Sequence, residues 1–145
     1  MIYIVINILP ILVATAASFV FGAIFYGVLG RPWMAAAGIT EDDIKGPSGK
    51  PSPWPFVISF FAELWIACIV AGALILAPEE AGAWTMAFGT AFILWVGFVF
   101  PVMLVNHRYE GRPFLLTAIN SGHWLGVLMV QVSLLQAIGL QPPAI

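Results

Sequence analysis

Residues 55–77 read PFVISFFAELWIACIVAGALILA, an apolar run that contains a single charged residue, Glu63. An α-helix rises about 1.5 Å per residue, so a run of this length crosses the roughly 30 Å hydrocarbon core of a bilayer. Pro55 suits the first turn of a helix, and Pro78 is placed to stop it. The stretch therefore predicts a transmembrane helix.

Three further stretches have the same character, from about Tyr3 to Leu29, from Trp84 to Val105 and from Phe114 to about Ile138. Of the 145 residues, 61% are apolar and 8% are charged. Soluble domains are nearer about 45–50% apolar and about 25% charged, so too few polar side chains are present to cover a water-soluble fold. We predict an all-α integral membrane protein, an antiparallel four-transmembrane-helix bundle that forms one domain over residues 1–145.

Two prolines, Pro10 and Pro101, fall inside the predicted spans. Each removes one backbone hydrogen bond and is expected to kink its helix, which membrane bundles tolerate. The sequence Ala14-Thr15-Ala16 resembles a signal-peptide cleavage site, yet no positive charge precedes the apolar stretch. We therefore expect the first helix to be retained.

The basic residues predict the orientation of the bundle, because all of them lie in the first and third connections: Arg31, Lys45, Lys50, Arg108 and Arg112. Lys and Arg accumulate in cytoplasmic loops of membrane proteins. We therefore predict that these connections are cytoplasmic and that both termini lie outside the cytoplasm. Within the cytoplasmic loop 30–54, Thr40 reads as the cap of a short helix that runs to Lys45.

Several function classes find no support in the composition. The five basic and seven acidic residues nearly cancel, so no basic patch indicates nucleic acid as a partner. The sequence contains no Gly-rich phosphate loop, nucleophile elbow or paired-carboxylate motif, and we predict no cofactor. The single cysteine, Cys68, lies inside an apolar run and is interpreted as a packing residue.

The best functional indication is a set of polar residues at similar depth in the predicted spans: Glu63, Asn106, Asn120 and His123. By the helical rise, Glu63 lies about 12 Å from the cytoplasmic start of its helix, and Asn120 and His123 lie about 9 Å and about 14 Å from theirs. Asn106 ends the third helix on the same side. We predict that these groups form a polar cluster in the cytoplasmic half, and Gln131 extends the stripe of Asn120.

The cluster admits more than one interpretation. Glu63 has three interpretations: it holds helices together, as a neutral acid or an acceptor bonded to His123 or Asn120; it titrates in a proton or substrate path; or it is a lipid-side residue near a water defect. His123 is likewise a structural donor, a proton-handling partner or a metal ligand. A zinc site requires three or four ligands, and Glu63 and His123 are too few, so no metal site is predicted.

Small residues at fourfold spacing predict close helix packing. They are Ala14, Ser18 and Gly22 in the first helix, and Gly122 and Gly126 in the fourth. Such faces let two helices approach closely. They serve packing within one chain as readily as a homo-oligomer or a contact with another membrane protein, and the sequence leaves both open.

The region Phe98–Gly126 carries a family resemblance. Its segments FVFPVMLVN (98–106), RYEGRP (108–113) and AINSGH (118–123), with GAIFY (22–26), Trp33-Met34 and Gly38-Ile39-Thr40, resemble an uncharacterised bacterial membrane-protein family catalogued as domain of unknown function 1761. The resemblance covers nearly the whole chain. It implies a four-helix membrane domain in a bacterial inner membrane, and it brings no agreed activity, so catalytic residues stay unknown.

Three functions follow from these features as hypotheses. The first is a small transport-like or accessory membrane protein whose polar cluster binds a small polar group or handles a proton. The second is a non-catalytic scaffold that associates through its small-residue helix faces. The third is a lipid-modifying membrane enzyme with Glu63 and His123 as acid and base, which requires the two side chains within reach of each other or of one water.

Overall fold

The computed structural model describes residues 2–78 and 80–143. Four helices are long and apolar enough to cross a membrane: α2 (Ile8–Ala37), α4 (Trp54–Ile75), the third span (Ala83–Tyr109) and α7 (Phe114–Ile138). The third span consists of α5 (Ala83–Leu94), a π-helical turn (Trp95–Val99) and α6 (Phe100–Tyr109). Two short helices complete the fold, α1 (Ile2–Ile6) and α3 (Glu41–Lys45). The predicted all-α bundle of four spans is thus confirmed.

The first span differs from its predicted bounds at both ends. Asn7, with φ −110° and ψ 20°, separates α1 from α2, and Pro10 lies in the first turn of α2, where a missing N–H costs no hydrogen bond. The predicted disturbance at Pro10 takes the form of this break, three residues before the proline. At the other end the helix continues past Leu29 to Ala37. It stops at Gly38, whose φ of 67° is left-handed and therefore favours glycine. The extension matters because it carries Trp33 towards the fourth span.

The third span accommodates Pro101 through a wide turn. The N–H of Phe100 donates to the carbonyl of Trp95, five residues earlier, and Pro101 follows in the first turn of α6. The predicted disturbance at this proline therefore takes the form of a π-helical turn that ends just before it. The same turn directs the indole N–H of Trp95 to the backbone carbonyl of Ser121 on α7, at 2.7 Å.

The α7 helix is the centre of the bundle. It packs against the other three spans, and half of its most apolar window is buried, against 6% for the third span. The apolar core lies in the half of the bundle near the chain termini, which we call the terminal end. Residues of this core that are fully buried include Ile11, Ala14, Val132 and Leu135.

Asn7 closes the terminal end. Its side-chain amide donates to the carbonyl of Gln141 at 2.9 Å and accepts from the N–H of Gln141 at 2.8 Å. The side chain is 1% exposed, so this pair of hydrogen bonds ties the start of α2 to the chain that follows α7. A cavity of about 500 Å³ lies at the same end of the bundle, and residues that line it include Met86, Gln136 and Leu140.

The opposite end of the bundle, which we call the basic end, holds the connections 38–53 and 110–113. Here the predicted short helix is confirmed as α3, with Thr40 as its cap. The Thr40 hydroxyl and N–H bond the Asp43 carboxylate and lower the pKa of this exposed group. Arg112 donates to the last carbonyl of α2, Ala37, at 2.6 Å, which places a positive charge where the helix dipole is negative.

Candidate functional site

Glu63 lies in the interior of the bundle. Its side chain is 2% exposed, although Phe61 and Trp65 beside it on α4 face outward. The carboxyl oxygen Oε2 lies 2.5 Å from Oγ of Ser18 on α2. Ser18 is itself fully buried, so the carboxyl–hydroxyl pair joins the first and second spans away from lipid. The hydrogen-bond partner of Glu63 is therefore Ser18, and neither His123 nor Asn120 takes that place.

Gln131 brings the fourth span to the same pair. Its side-chain nitrogen donates to Oγ of Ser18 at 3.1 Å and to the backbone carbonyl of Glu63 at 3.0 Å. The carbonyl of Glu63 can only accept, so it fixes which end of the Gln131 amide points inward. Gln131 is fully buried, and its Oε1 has no hydrogen-bond partner in the part of the chain that the structure describes. Three spans thus converge on the hydroxyl of Ser18.

The contacts of the Ser18 hydroxyl indicate whether the carboxyl of Glu63 carries a proton. This hydroxyl, which has one proton, lies within hydrogen-bond distance of two oxygens, Oε2 of Glu63 and the carbonyl of Thr15 at 3.0 Å. If Glu63 is ionised, the hydroxyl can satisfy only one of them. If Glu63 is neutral, its O–H donates to Ser18, and the Ser18 proton is free for Thr15. Only the neutral carboxylic acid fills all the contacts at once.

His123 lies one layer nearer the basic end, in a shell of aromatic rings. Its ring centroid is 4.8 Å from that of Tyr26, 5.5 Å from that of Phe25 and 5.2 Å from that of Trp124. The side chain is 7% exposed. Its Nδ1 atom is buried without a hydrogen-bond partner among the described residues. The surroundings of this histidine are therefore apolar apart from one direction.

That direction is the backbone of Gly22, where His123 and Glu63 meet. A Cβ atom built on Gly22 would lie 2.9 Å from Nε2 of His123 and 3.8 Å from Oε1 of Glu63. A side chain at this position would force the imidazole to shift. No ion pair within 4.0 Å joins the two side chains in the described residues. They are neighbours across Gly22 without direct contact.

Asn120 forms a second polar group, closer to the basic end. Its Oδ1 accepts from the hydroxyl of Tyr26 at 3.0 Å and from the indole N–H of Trp33 at 2.9 Å. Both donors come from α2, so this group joins the first and fourth spans. Because Tyr26 also contacts His123, the groups of Asn120 and Glu63 belong to one continuous region of the bundle.

Asn106 is not part of this region. It is exposed near the end of α6, and no side-chain hydrogen bond joins it to the other three predicted residues in the described structure. The neighbouring His107 faces inward instead and pairs through Nδ1 with the buried hydroxyl of Thr117, at 2.9 Å. The rotation of α6 about its axis determines which of the two neighbours points towards α7.

The small residues have separate roles. Ala14, Ser18 and Gly22 all lie on the buried face of α2. Gly126 packs against the ring of Phe21, which would collide with any Cβ at that position. Gly122 has open space around the position of a Cβ. Four of the five therefore support packing inside this chain.

Sequence reasoning missed two donors and the polar role of Ser18. Tyr26 and Trp33 are seven residues apart and so share one face of α2, a spacing that could have indicated a pair of donors for Asn120. Ser18 falls at a small-residue spacing, which gave it a packing role only. The spacing of small residues does not reveal that the hydroxyl of Ser18 points towards Glu63.

Glu63 and His123 supply only two side chains that could act as metal ligands. Protein zinc sites use three or four such groups. Within residues 2–78 and 80–143, no group of three His, Cys, Asp or Glu side chains lies close enough to hold an ion. The chemistry that this arrangement offers is hydrogen bonding and proton exchange.

Four apolar spans and a hydrogen-bonded polar interior define a multi-pass integral membrane protein of the helical-bundle class. The chain belongs to the DUF1761 family, proteins of unknown function, whose family model matches residues 9–136. The match includes Ser18, Glu63, Asn120, His123 and Gln131, and it confirms the resemblance seen in the sequence. No curated protein and no solved structure matches the chain.

Proposed function

We propose that this protein is a small transport-like membrane protein in which Glu63, with His123 nearby, handles a proton inside the bundle. The observation that supports the proposal is the sharing of one Ser18 hydroxyl between Glu63 and Thr15, which is satisfied fully only when Glu63 carries a proton. A charged group in the middle of a membrane is costly, and ionisable residues there mark proton or substrate paths. A carboxyl held neutral among hydrogen-bonding partners suits proton exchange.

The proton on Glu63 is tested by infrared spectroscopy of the protein in lipid vesicles at neutral pH. A neutral carboxylic acid has a C=O band well separated from carboxylate bands, and the band shifts in heavy water. We expect that band in the wild type, its loss in Glu63→Gln and its retention in Glu80→Gln, since Glu80 is exposed outside the spans. A wild-type spectrum without the band, or a band that survives Glu63→Gln, would overturn the proposal.

Transport is tested in the same vesicles with a trapped pH indicator and an imposed potassium diffusion potential. Wild-type protein should speed proton movement above that of empty vesicles, and Glu63→Gln should remove the increase. Circular dichroism and gel filtration of the variant must match those of the wild type, so that loss of folding is not mistaken for loss of function. Equal proton movement in Glu63→Gln and wild type would exclude this role.

We also propose the orientation and location that the sequence predicts, with the basic end in the cytoplasm of a bacterium and both termini outside, in the inner membrane. All the Lys and Arg residues lie at or beside that end, which supports the assignment. A cysteine introduced at exposed Ser48, in a Cys68→Ala background, should react with a membrane-impermeant maleimide only in inside-out vesicles. Labelling of intact cells would reverse the assignment.

A scaffold is the second candidate, and the third span favours it. This span has the smallest buried share of the four, and Gly97 on it is exposed with open space at the position of a Cβ. Association through this face should give a dimer in lipid nanodiscs that Gly97→Leu disrupts, whereas Gly27→Leu on the exposed side of α2 leaves it intact. A monomeric wild type would count against the scaffold.

An enzyme acting on lipid has less support. An apolar groove of about 180 Å³ opens between α4 and the third span, lined by residues that include Ile66, Phe98 and Trp124. Neither Glu63 nor His123 lines it. A lipid bound in this groove would therefore not reach the proposed acid and base.

A further inference from the structure

The unpaired atoms of Glu63 and His123 face a common place. Oε2 of Glu63 is engaged by Ser18, which leaves Oε1 without a hydrogen-bond partner among the described residues. Nε2 of His123 likewise has none there, and both atoms approach the same side of Gly22. Two side chains that are 2% and 7% exposed thus direct a free polar atom at one spot. The fully buried atoms without a partner in the described residues are Nδ1 of His123 and Oε1 of Gln131, so Oε1 of Glu63 and Nε2 of His123 each keep a surface that a third participant can reach.

The spacing of the two atoms matches a bridge by one small molecule. Oε1 of Glu63 and Nε2 of His123 are not within 4.0 Å of each other. From the Cβ position of Gly22, Nε2 is 2.9 Å away and Oε1 is 3.8 Å away. Their separation therefore exceeds 4.0 Å and cannot exceed the sum of the two distances to that position. A molecule that makes a hydrogen bond of about 2.7–3.0 Å to each atom needs a separation of about 5–6 Å at most.

The chemistry of the two atoms restricts the molecule further. A proton on Nδ1 of His123 would be a buried N–H without a partner, so the proton belongs on Nε2, which then donates. Oε1 of a neutral Glu63 accepts. The bridging molecule must therefore accept from His123 and donate to Glu63. Water and ammonia are uncharged molecules of one heavy atom that do both.

We infer that the space beside Gly22, between Oε1 of Glu63 and Nε2 of His123, binds one uncharged, water-sized molecule that both donates and accepts hydrogen bonds. The inference rests on the proposed function, because it takes Glu63 as a neutral acid whose Oε2 carries the proton and whose Oε1 accepts from the bound molecule. The rings of Phe21, Phe25 and Tyr26 pack around His123. Neither the terminal cavity nor the apolar groove reaches this space.

The structure also indicates the side from which the molecule enters. Towards the terminal end, the bundle is filled by fully buried apolar residues such as Ile11, Val132 and Leu135. Towards the basic end, the half-buried polar groups of Tyr26, Asn120 and Trp33 follow His123. Small polar molecules are better accommodated along the second route. Entry is therefore from the basic end.

The test is solid-state NMR of ¹⁵N-histidine protein in lipid vesicles, with His107→Gln used to separate the two histidine signals. In the wild type, Nε2 of His123 should be protonated and should receive magnetisation from bulk water. Gly22→Ala places a methyl group between the two polar atoms and should abolish this transfer. Gly122→Ala, where the methyl meets open space, should retain it.

Wild-type protein without transfer from water to His123 overturns the inference, as does transfer that survives in a folded Gly22→Ala variant. If Gly22→Ala fails to fold, the wild-type measurement alone decides. Titration with ¹⁵N-ammonium chloride at alkaline pH separates the two ligands, because a shift of the Nε2 signal that sodium chloride does not produce identifies ammonia, and no shift identifies water. Transfer to His123 in a protein that lacks the infrared band of Glu63 would keep this site and refute the proton role.

Discussion

Replacing Ser18 with alanine tests the link between three spans most directly. The substitution removes the oxygen that meets Oε2 of Glu63 at 2.5 Å and the side-chain nitrogen of Gln131 at 3.1 Å. Both partners are buried, and each keeps its position because the backbone around it is unchanged. Two polar groups therefore lose a partner in a place that water does not reach freely.

The expected loss can be worked out from these contacts. A buried polar group left without a partner costs about 1–3 kcal/mol, whereas hydrogen bonds between membrane helices average only about 0.6 kcal/mol because the unfolded chain in the membrane also finds partners. Gln131 retains its bond to the carbonyl of Glu63, which limits the loss on that side. We therefore expect Ser18→Ala to lower the free energy of unfolding by about 1–3 kcal/mol.

The matched control is Ser133→Ala. Ser133 lies on α7 and donates to the carbonyl of Met129 in its own helix, at 2.7 Å, so the substitution breaks no contact between spans. Reversible unfolding in mixed detergent micelles, followed by circular dichroism, measures both variants. If Ser18→Ala is as stable as Ser133→Ala, the convergence of three spans on Ser18 contributes no stability, and the reasoning from the shared hydroxyl fails.

Three other outcomes follow from the structure. Gly126→Ala should lower the thermal midpoint, because its methyl collides with an aromatic ring of α2, whereas Gly122→Ala should leave the midpoint nearly unchanged; equal effects would contradict the packing described here. Asn7→Ala should increase hydrogen exchange and proteolysis of residues 139–143, since it breaks both bonds to that segment, and an unchanged rate would show that the segment is held otherwise. The pKa of Asp43 is lowered in the folded state, so its contribution to α3 is present at neutral pH and is lost as the pH falls below about 4. Amide chemical shifts of residues 41–45 should report this loss. Thr40→Ala should weaken α3 already at neutral pH, because it removes the hydroxyl that caps the helix.

The sequence predicts the four spans because hydrocarbon imposes a length and a composition that few other folds share. It does not predict how each helix is rotated, since the spans are apolar on nearly every face and carry little of the one-sided pattern that orients a surface helix. Asn106 shows the consequence, because it is exposed and α6 turns His107 inward in its place.

The partners of Glu63 were unpredictable for a related reason. The structure brings Glu63, Asn120 and His123 to one region, but their hydrogen bonds depend on sub-ångström placement of side chains. Ser18 lies 2.5 Å from the carboxyl of Glu63, and Gly22, one turn away, lets the imidazole of His123 approach the same helix. Neither fact is encoded in residue type alone.

The unequal lengths of the spans have a consequence for the lipid surroundings. At about 1.5 Å per residue, the 30 residues of α2 extend about 45 Å, whereas the 22 residues of α4 extend about 33 Å. A helix that is longer than the hydrocarbon thickness of the bilayer accommodates the difference by tilting, so a long helix tilts more than a short one. Because α2 carries Ser18 and α4 carries Glu63, we expect bilayer thickness itself to change the alignment of hydroxyl and carboxyl, so that the two groups are paired differently in short-chain and long-chain phospholipids.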